Sequence, residues 1–358
     1  MLKGNKGEWG ELYAFCYLLS SGVLQAADKN LQPIENVFFP IIRILRENMS
    51  YYPSDSGCDK VRIYKGDILC GEYAVQDFED IVELLYQEIP KGQRSFIIPE
   101  CEPFMDLIGI EKLKADSLHK QDIDIEIHDI NTGIEANCGF SIKSYLGGDP
   151  TLVNAGKNTN FVYCIENCTD SIMHDFNSIE TRNKLIERMQ LLEDNKCSIT
   201  FTGEMTSDQF KTNVRFIDTI MPEILAECLL NYYTSGKGTK DTHEIVNEVA
   251  CQDPYDLESI EIYKYKMKQF LCACALGLTP EKTWEGGEDA NGGYITVKRD
   301  GSVVCYHIYN RVEFLDYLYN YTYFDKGSSS RHNYMTIYKI DGNYYLRLNL
   351  QIRFREIG

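Results

Sequence analysis

Polar and apolar residues alternate strictly along two neighbouring segments of the chain. In QDIDIEIHD, residues 121–129, isoleucines occupy every second position. After an NTG turn, the stretch CGFSIK, residues 138–143, alternates in the same way. The pattern predicts two strands joined by a turn. On the second strand, Ser141 and Lys143 then point to the same side of the sheet, because strand side chains repeat every two residues.

The next part of the chain mixes strand and helix patterns. FVYCI and CSITFTGEM predict strands, and TRNKLIERMQLLEDN predicts a helix between them. RFIDTIMPEILAECLLNYY has the spacing of a long helix, in which Pro222 marks a start or a kink. Strands and helices in this order are typical of an α/β core.

Ahead of this core, the apolar spacing is mostly helical. GEWGELYAFCYLL, IENVFFPIIRILREN and VQDFEDIVELLYQEI each predict a helix, and the Pro- and Gly-containing IPKGQRSFIIPECEP predicts a connection. We therefore predict that residues 1–95 form a mainly helical part, packed on a core of residues 96–234.

After the core, the polar, glycine-containing stretch TSGKGTKDTH predicts a linker. Helical spacing continues to about Gly277. YITVKRDGSVVCYHIY and MTIYKIDGNYYLRLNLQIRF then each carry Asp-Gly between strand-like runs, which is a β-hairpin pattern. Residues 235–358 are thus predicted to be helical at first and β-rich afterwards.

Composition indicates a globular intracellular protein. Of 358 residues, 44% are hydrophobic and 25% are charged, which excludes a disordered chain. No apolar run approaches the roughly 18 residues that a membrane span needs, and charges stand where a signal peptide would be apolar. We expect a cytoplasmic protein that does not bind membranes. Its 13 cysteines are expected to be free, and Cys164 and Cys168 lack the second pair of a zinc knuckle.

The net charge of −18 argues against indiscriminate adhesion to nucleic acid. The charge is uneven, however. Residues 291–358 carry nine Lys or Arg and six Asp or Glu, a net charge of +3. A polyanion would therefore be expected to bind this C-terminal fifth.

The two alternating strands bring acids and a lysine together. Asp122, Asp124 and Glu126 share one side of the first strand, next to Lys143 on the second. Mg²⁺ prefers oxygen ligands and needs only one or two carboxylates, and a nearby ammonium can orient or deprotonate water. Glu8 and Glu11, three residues apart on one face of the first predicted helix, could reach such a site. The plain alternative is a surface hairpin with a solvated lysine.

The amino-acid sequence around these strands resembles that of a known family. GFSIKSYLGGDPTLVNAGKNTNF, residues 139–161, is similar to the signature block of the HpaII family of type II restriction endonucleases. NKGEWGE, GYITVKRDGSVVCYHIYNRVEFLDYL, GSSSRHNYMTIY and YLRLNLQIRF resemble further blocks of that family, in order along nearly the whole chain.

The resemblance implies a Mg²⁺-dependent endonuclease that cuts double-stranded DNA at the palindrome CCGG. It implies an α/β fold with a mixed-sheet core like that of PD-(D/E)xK nucleases, an N-terminal helical part and a β-rich C-terminal region. Asp122 would be the metal ligand and Lys143 the catalytic lysine, with the backbone carbonyl of Ile142 and Glu11 as further ligands. Ser141 stands where that motif has a second acid, which is a departure. Asp124 remains an alternative to Asp122.

Several polar residues are candidates for DNA contacts. On the last predicted strand, alternate residues are apolar, and the other face carries side chains of the types that pair with base edges. The alternative interpretation is that this polar face is simply exposed to solvent and binds nothing. The candidates are Arg347, Asn349, Gln351 and Arg353 on this strand, Lys326, Ser329, Arg331 and His332 in the loop before it, and Asn154 and Lys157 after the motif.

Three functions are therefore weighed: a nuclease, a DNA-binding protein with an inactive nuclease site, and an acidic interaction module. Cleavage of a plasmid with Mg²⁺ separates them. A palindromic site is compatible with a homodimer, or with a monomer that nicks each strand in turn. A cognate DNA methyltransferase would act on the same site without needing to bind this protein.

Overall fold

The computed structural model describes residues 1–54, 59–113, 121–130 and 133–355. Helices and strands are mixed along the whole chain, as predicted for the α/β class. No helix among these residues is long and apolar enough to cross a bilayer. The helices are α1 (Lys6–Ser21), α2 (Val75–Glu88), α3 (Glu102–Leu107), α4 (Asp170–Ser178), α5 (Lys184–Asp194), α6 (Asp208–Ile217), α7 (Met221–Thr234), α8 (Thr242–Gln252), α9 (Ile260–Leu276), α10 (Arg311–Tyr321) and α11 (Ser329–His332).

The strands form one large sheet and two small ones. The strands are β1 (Val23–Ala27), β2 (Pro33–Arg46), β3 (Met49–Tyr52), β4 (Lys60–Lys65), β5 (Ile68–Ala74), β6 (Ile123–His128), β7 (Glu135–Ser144), β8 (Thr151–Val153), β9 (Asn160–Glu166), β10 (Ser198–Met205), β11 (Lys240–Asp241), β12 (Gly293–Val297), β13 (Val303–His307), β14 (Thr322–Phe324), β15 (Tyr338–Ile340), β16 (Asn343–Asn349) and β17 (Ile352–Phe354). The large sheet has the order β1-β13-β12-β7-β6-β2-β3-β4-β5, and the small ones are β10-β9-β16-β15 and β11-β14-β17-β8.

The large sheet draws strands from all three predicted parts of the chain. Strand β7 lies between β6, its antiparallel hairpin partner, and β12, a parallel partner from the C-terminal region. The long strand β2 pairs with β1 along its first half and with β6 and β3 along its second half. Strand β7 is therefore held on both edges by backbone hydrogen bonds, in the middle of the sheet.

Alternation along these strands separates two hydrophobic cores. Phe140 and Ile142 of β7 and Ile295 of β12 belong to the core that includes α1. Tyr294 of β12 points to the opposite face, into the core formed with the later helices and the small sheets. Because side chains alternate along a strand, Ser141 and Lys143 share this second face with Tyr294, as predicted.

Helix α1 packs closely against the end of β7. It begins with a capping box, in which Asn5 and Glu8 satisfy each other's backbone donors. One turn later, a Cβ atom added at Gly10 would lie 2.4 Å from the Cβ of Ser144. The absence of a side chain at Gly10 therefore lets the helix approach the strand that carries Lys143.

Most elements predicted after residue 96 are confirmed. The predicted strands correspond to β6, β7, β9 and β10, and the helix between the last two corresponds to α5. Residues 131 and 132 of the predicted NTG turn lie outside the described residues. The predicted long helix is two helices, α6 and α7, and Pro222 stands in the first turn of α7. Proline is tolerated there because that turn needs no intrahelical N–H donor.

The predicted helix IENVFFPIIRILREN is wrong, since it is strand β2. Pro40 lies within it and would remove a helical hydrogen bond, whereas here it lies opposite Val23 of β1. The β-branched and aromatic residues around Pro40 suit a strand. The first 95 residues are consequently not mainly helical, because β1 to β5 lie between α1 and α2.

The last predicted strand is confirmed in its apolar face but is divided in two. Leu346, Leu348, Leu350, Ile352 and Phe354 are all fully buried. Strand β16 belongs to the β10-β9-β16-β15 sheet, and β17 belongs to the β11-β14-β17-β8 sheet. The chain therefore passes from one small sheet to the other at residues 350 and 351, and its polar side chains do not form one continuous surface.

Gly10→Ala should lower stability, because the added Cβ would overlap Ser144 unless α1 moves away from β7. Overpacking of this kind costs about 1–3 kcal/mol, although alanine is the better helix former. Urea denaturation of the purified protein measures the difference. Gly238→Ala is the control, since nothing lies within 4 Å of a Cβ atom added there. Equal stability of both variants would show that the close packing of α1 on β7 is not required.

Candidate active site and DNA-binding surface

The strand register brings the predicted catalytic residues together. Ile123 of β6 lies opposite Phe140 of β7, so Asp122 directly precedes the paired region and reaches Ser141. On the other edge of β7, Ser141 lies beside Tyr294, and Lys143 lies beside Thr296. Three adjacent strands therefore contribute polar side chains to one face of the sheet.

The carboxylate of Asp122 is held by β7. Its Oδ2 atom accepts hydrogen bonds from the hydroxyl of Ser141 at 3.1 Å and from the backbone N–H of Ile142 at 2.7 Å. The backbone N–H of Asp122 donates to the carbonyl of Phe140 at 2.8 Å. These contacts hold the carboxylate against β7, the strand that carries Lys143. Ser141 lies two residues before Lys143 on that strand.

The alternative, Asp124, has different surroundings. Its Oδ1 atom accepts a hydrogen bond from Gln121 at 2.6 Å, and its backbone lies opposite Gly139. Glu126, two residues further, forms an ion pair with Arg43 of β2. Of the three acids on β6 and its approach, Asp122 is the one bonded to the Ser-Ile-Lys segment.

Lys143 is half-buried, and no ion pair involving it is found within residues 1–54, 59–113, 121–130 and 133–355. Its neighbours Tyr294 and Thr296 are fully buried, and their hydroxyl groups have no hydrogen-bond partner within the same ranges. Burial, followed by the effects of Tyr317 and Asp122, raises the pKa of Tyr294. Sequence reasoning missed both hydroxyl residues, because the pairing of β12 with β7 is not visible in the local pattern.

The oxygen atoms gathered here suit a hard divalent cation. They are the carboxylate of Asp122 and the hydroxyl of Ser141, and the backbone carbonyl of Ile142 as a ligand stays a prediction. Mg²⁺ binds oxygen ligands, keeps several waters and uses one or two carboxylates. The donor set therefore fits Mg²⁺, with a single carboxylate at its centre.

Glu11 lies on α1, one residue from the contact between Gly10 and Ser144. Its Oε2 atom is inaccessible to solvent. Burial lowers the pKa of Arg46, and the negative charges near it, Glu11 among them, oppose that shift. The structure thus places Glu11 in the field of a buried arginine, and its role as a metal ligand stays a prediction.

A different cluster of side chains has the spacing of metal ligands. The ligand atoms of Asp241, His243 and Glu244 lie within 4.8 Å of one another, at the start of α8. Both acids already have cationic partners, since Asp241 contacts Arg355 at 2.9 Å and Glu244 contacts Lys237 at 3.3 Å. This group was not predicted from the sequence, and we assign no metal to it.

Two loops that are distant in sequence are in contact, and both carry candidate DNA-binding residues. A Cβ atom added at Gly327 would lie 2.6 Å from the Cβ of Ala155. Burial, then the positive charges of Arg331 and Lys157, lower the pKa of His332. We call Lys157, Arg331 and His332 the basic cluster. It unites candidates from both predicted DNA-contact loops, and Lys157 and Arg331 are exposed.

The other loop candidates lie next to the basic cluster in sequence. Asn154 is exposed, and Lys326 and Ser329 are partly exposed. Ser328 caps the short helix α11 by accepting a hydrogen bond from the backbone N–H of Arg331. The loop that carries Arg331 therefore has an ordered helical turn.

The prediction that Asn349 reads DNA bases is wrong. Asn349 is only 1% exposed, so its side chain cannot reach a ligand outside the protein. Its amide nitrogen donates to the carbonyl of Gly156 and to Oδ1 of Asn160, both at 2.7 Å. The residue stands on the predicted polar face, but that face is covered by the loop before β9.

The remaining strand candidates are also engaged within the protein. Arg353 donates to the backbone carbonyl of Asp149 and lies 3.4 Å from the carboxylate of Asp325. The guanidinium of Arg347 lies over the ring of Tyr338, 4.8 Å from its centre. Gln351, at the passage between the small sheets, is partly exposed. DNA contacts by the two arginines would require these interactions to be exchanged.

Comparisons with known proteins identify the family. The sequence model of the HpaII restriction endonuclease family matches residues 5–354. The chain is 38% identical over 360 residues to the Type II restriction enzyme HpaII of Haemophilus parainfluenzae, with 98% of each chain covered. No solved structure matches the chain. These matches confirm the family predicted from the sequence motifs and the predicted enzyme class, a site-specific deoxyribonuclease. The chain belongs to the HpaII restriction endonuclease family.

Proposed function

We propose that this protein hydrolyses phosphodiester bonds of double-stranded DNA at the palindrome CCGG, by Mg²⁺-assisted attack of water. The observation that carries the proposal is the attachment of Asp122 to the Ser141-Ile142 segment, directly before Lys143. An acid on one strand and a lysine on its neighbour form the arrangement of PD-(D/E)xK nucleases. Membership of a restriction endonuclease family supports this proposal.

Each residue has a distinct part in the proposed mechanism. Asp122 offers a carboxylate that is already oriented by two hydrogen bonds, so it does not need to be ordered when a cation binds. A bound Mg²⁺ would neutralise charge on the phosphodiester and lower the pKa of water. The carbonyl of Ile142 would be a second ligand, and Glu11 is a proposed further one. Lys143 would orient or deprotonate the attacking water.

Ser141 explains how the site works with one carboxylate. It is 1% exposed and donates its hydroxyl hydrogen to Asp122. An acid at this position would place a second negative charge against Asp122 inside the protein, which raises carboxyl pKa values and favours the protonated form. A serine instead supplies a neutral hydrogen-bond donor to Asp122. The intact site therefore supports cleavage rather than DNA binding with an inactive centre.

DNA would bind at the basic cluster and the loops beside it. Lys157 and Arg331 are exposed cations in a protein of net charge −18, so they form a local positive surface. Asn154, Lys326 and Ser329 offer further donors to phosphate oxygens. Gln351 is partly exposed and could join them, whereas Arg347 and Arg353 already have contacts within the protein.

A cellular setting follows from this activity. An enzyme that cuts CCGG needs a DNA methyltransferase that modifies the same site, and the two need not contact each other. We place the protein in the cytoplasm, where its DNA substrate enters the cell. A two-fold dimer would match the symmetry of a palindrome.

Replacing either member of the catalytic pair should abolish cleavage. Lys143→Ala and Asp122→Ala should each reduce the cleavage rate by about 10²-fold or more, because each removes chemistry rather than the docking surface. Single-turnover digestion of a CCGG duplex measures the rate, and a binding assay verifies that affinity is retained.

The matched controls are Lys65→Ala, an exposed lysine on β4, and Asp124→Ala, the other acid facing the same side of β6. Both should cut at rates close to that of the wild-type protein. If Asp124→Ala were as inactive as Asp122→Ala, the assignment of Asp122 alone would be incorrect.

Cleavage should depend on a divalent cation. Mg²⁺ or Mn²⁺ should support cleavage, and a chelator should stop it. The reason is that the carboxylate of Asp122 is itself an anion and cannot neutralise the charge of the phosphodiester. Ca²⁺ should permit binding without cutting, since its larger and more flexible coordination orients water poorly. Gel analysis of a plasmid incubated with each ion tests this. Undiminished cutting in excess chelator would exclude the proposed mechanism.

Methylation should identify the sequence that is read. If CCGG is read in the major groove, a methyl group on C5 of the inner cytosine projects into the reading surface and should block cleavage. The substrates are two duplexes that differ only in that methyl group, with a GGCC duplex as the sequence control. Equal cutting of the methylated and unmethylated duplexes would show that this edge is not closely read, and equal cutting of GGCC would exclude CCGG specificity.

A further inference from the structure

A buried network of amide side chains joins three separate segments beneath the basic cluster. The side-chain amide of Asn349, at the end of β16, donates to Gly156, Thr159 and Asn160 at 2.7, 3.1 and 2.7 Å. The amide of Asn160 in turn donates to the backbone carbonyl of His332 at 2.9 Å. We call Asn160 and Asn349 the amide clasp.

The amide clasp lies inside the protein. Asn160 and Asn349 are each only 1% exposed. Burying an amide is unfavourable unless its hydrogen-bonding groups find partners, so two adjacent buried amides need a structural reason. Here the partners are backbone carbonyls of Gly156 and His332, which belong to the two loops that carry Lys157 and Arg331.

The basic cluster needs such a restraint. A Cβ atom added at Gly327 would lie 2.6 Å from the Cβ of Ala155 and 3.2 Å from Cδ2 of His332, so the two loops that carry Lys157 and Arg331 are in contact. No ion pair of Lys157 or Arg331 is found in the described part of the chain. Like charges repel, and without an anion between them the two loops would tend to separate. The hydrogen bonds of the amide clasp oppose that separation.

We infer that Asn160 and Asn349 are positioning residues, which hold Lys157 and Arg331 at a spacing that lets both bind the same stretch of DNA backbone. They do not touch DNA themselves, because they are buried. The inference rests on the proposed function in that the polyanion is taken to be duplex DNA. The strength of DNA binding at this surface would then depend on two buried amides as well as on exposed cations.

The test is the salt dependence of DNA binding by the full-length protein, measured with Ca²⁺ in place of Mg²⁺ so that the protein can bind without cutting. A short labelled duplex that contains CCGG once is the probe, titrated between about 50 and 200 mM salt. Each phosphate neutralised by the protein contributes about 0.9 to the slope of log affinity against log salt concentration. Asn349→Ala and Asn160→Ala should each lower the slope by about one and weaken binding by about tenfold at the lower salt concentration.

Asn213→Ala is the matched control. Asn213 is another fully buried asparagine, and its amide donates to the carbonyls of Thr279 and Lys282 at 3.1 and 2.7 Å. It lies in α6, outside the loops of the basic cluster. Its replacement should lower the thermal midpoint in the same way as the clasp variants while leaving the salt slope unchanged. A loss of slope in Asn213→Ala equal to that of Asn349→Ala would mean that general destabilisation is responsible, which would overturn the inference.

A double-mutant comparison supplies a second criterion. Lys157→Ala changes an exposed residue and should itself lower the slope by about one. If the clasp acts by positioning Lys157, adding Lys157→Ala to Asn349→Ala should cause little further loss. Additive losses would overturn the inference. Asn349→Ser, which keeps a hydrogen-bonding hydroxyl, replaces Asn349→Ala if that protein does not fold.

The outcomes separate the inference from the proposed function. If the wild-type protein does not bind the duplex at all, both the proposed function and the inference that rests on it are rejected. If it binds and the clasp variants keep the wild-type slope, only the inference is rejected.

Discussion

The pair of hydrogen bonds from β7 to the Asp122 carboxylate is the interaction on which the candidate active site depends. Asp122 stands just before the point at which backbone pairing between β6 and β7 begins, and its side chain continues the connection to Ser141 and Ile142. The same two bonds orient the carboxylate. Because β7 is held on its other edge by β12, Lys143 keeps a defined position relative to this acid.

Serine in place of a second acid has a consistent physical explanation. The position of Ser141 is buried, and a negative charge there would lie close to the carboxylate of Asp122. The site therefore concentrates its charge on one carboxylate and supplies neutral oxygens around it. Such a site would be stable before a metal binds, which suits a protein whose sheet must fold around this strand.

An acidic protein that acts on DNA must build its positive surface locally. In this chain the loop that carries Lys157, after β8, contacts the loop that carries Arg331 and His332, much later in the sequence. The buried amides of Asn160 and Asn349 connect these loops from below. The candidate catalytic strand and Lys157 of the basic cluster thus lie within one continuous stretch of the chain, whereas Arg331 and His332 come from a segment about 170 residues later.

The sequence by itself determined the features that depend on local pattern. Alternation predicted β6 and β7, and the shared orientation of Ser141 and Lys143 followed from it. The motif resemblance led to the correct family. Local pattern failed where long-range pairing decides: β2 has helical apolar spacing but pairs with β1, β3 and β6. Only the tertiary structure decided that Asn349 is buried and that the loop of Lys157 contacts the loop of Arg331. Periodicity reports which face of an element is covered, whereas the covering partner is set by the packing of residues distant in the chain.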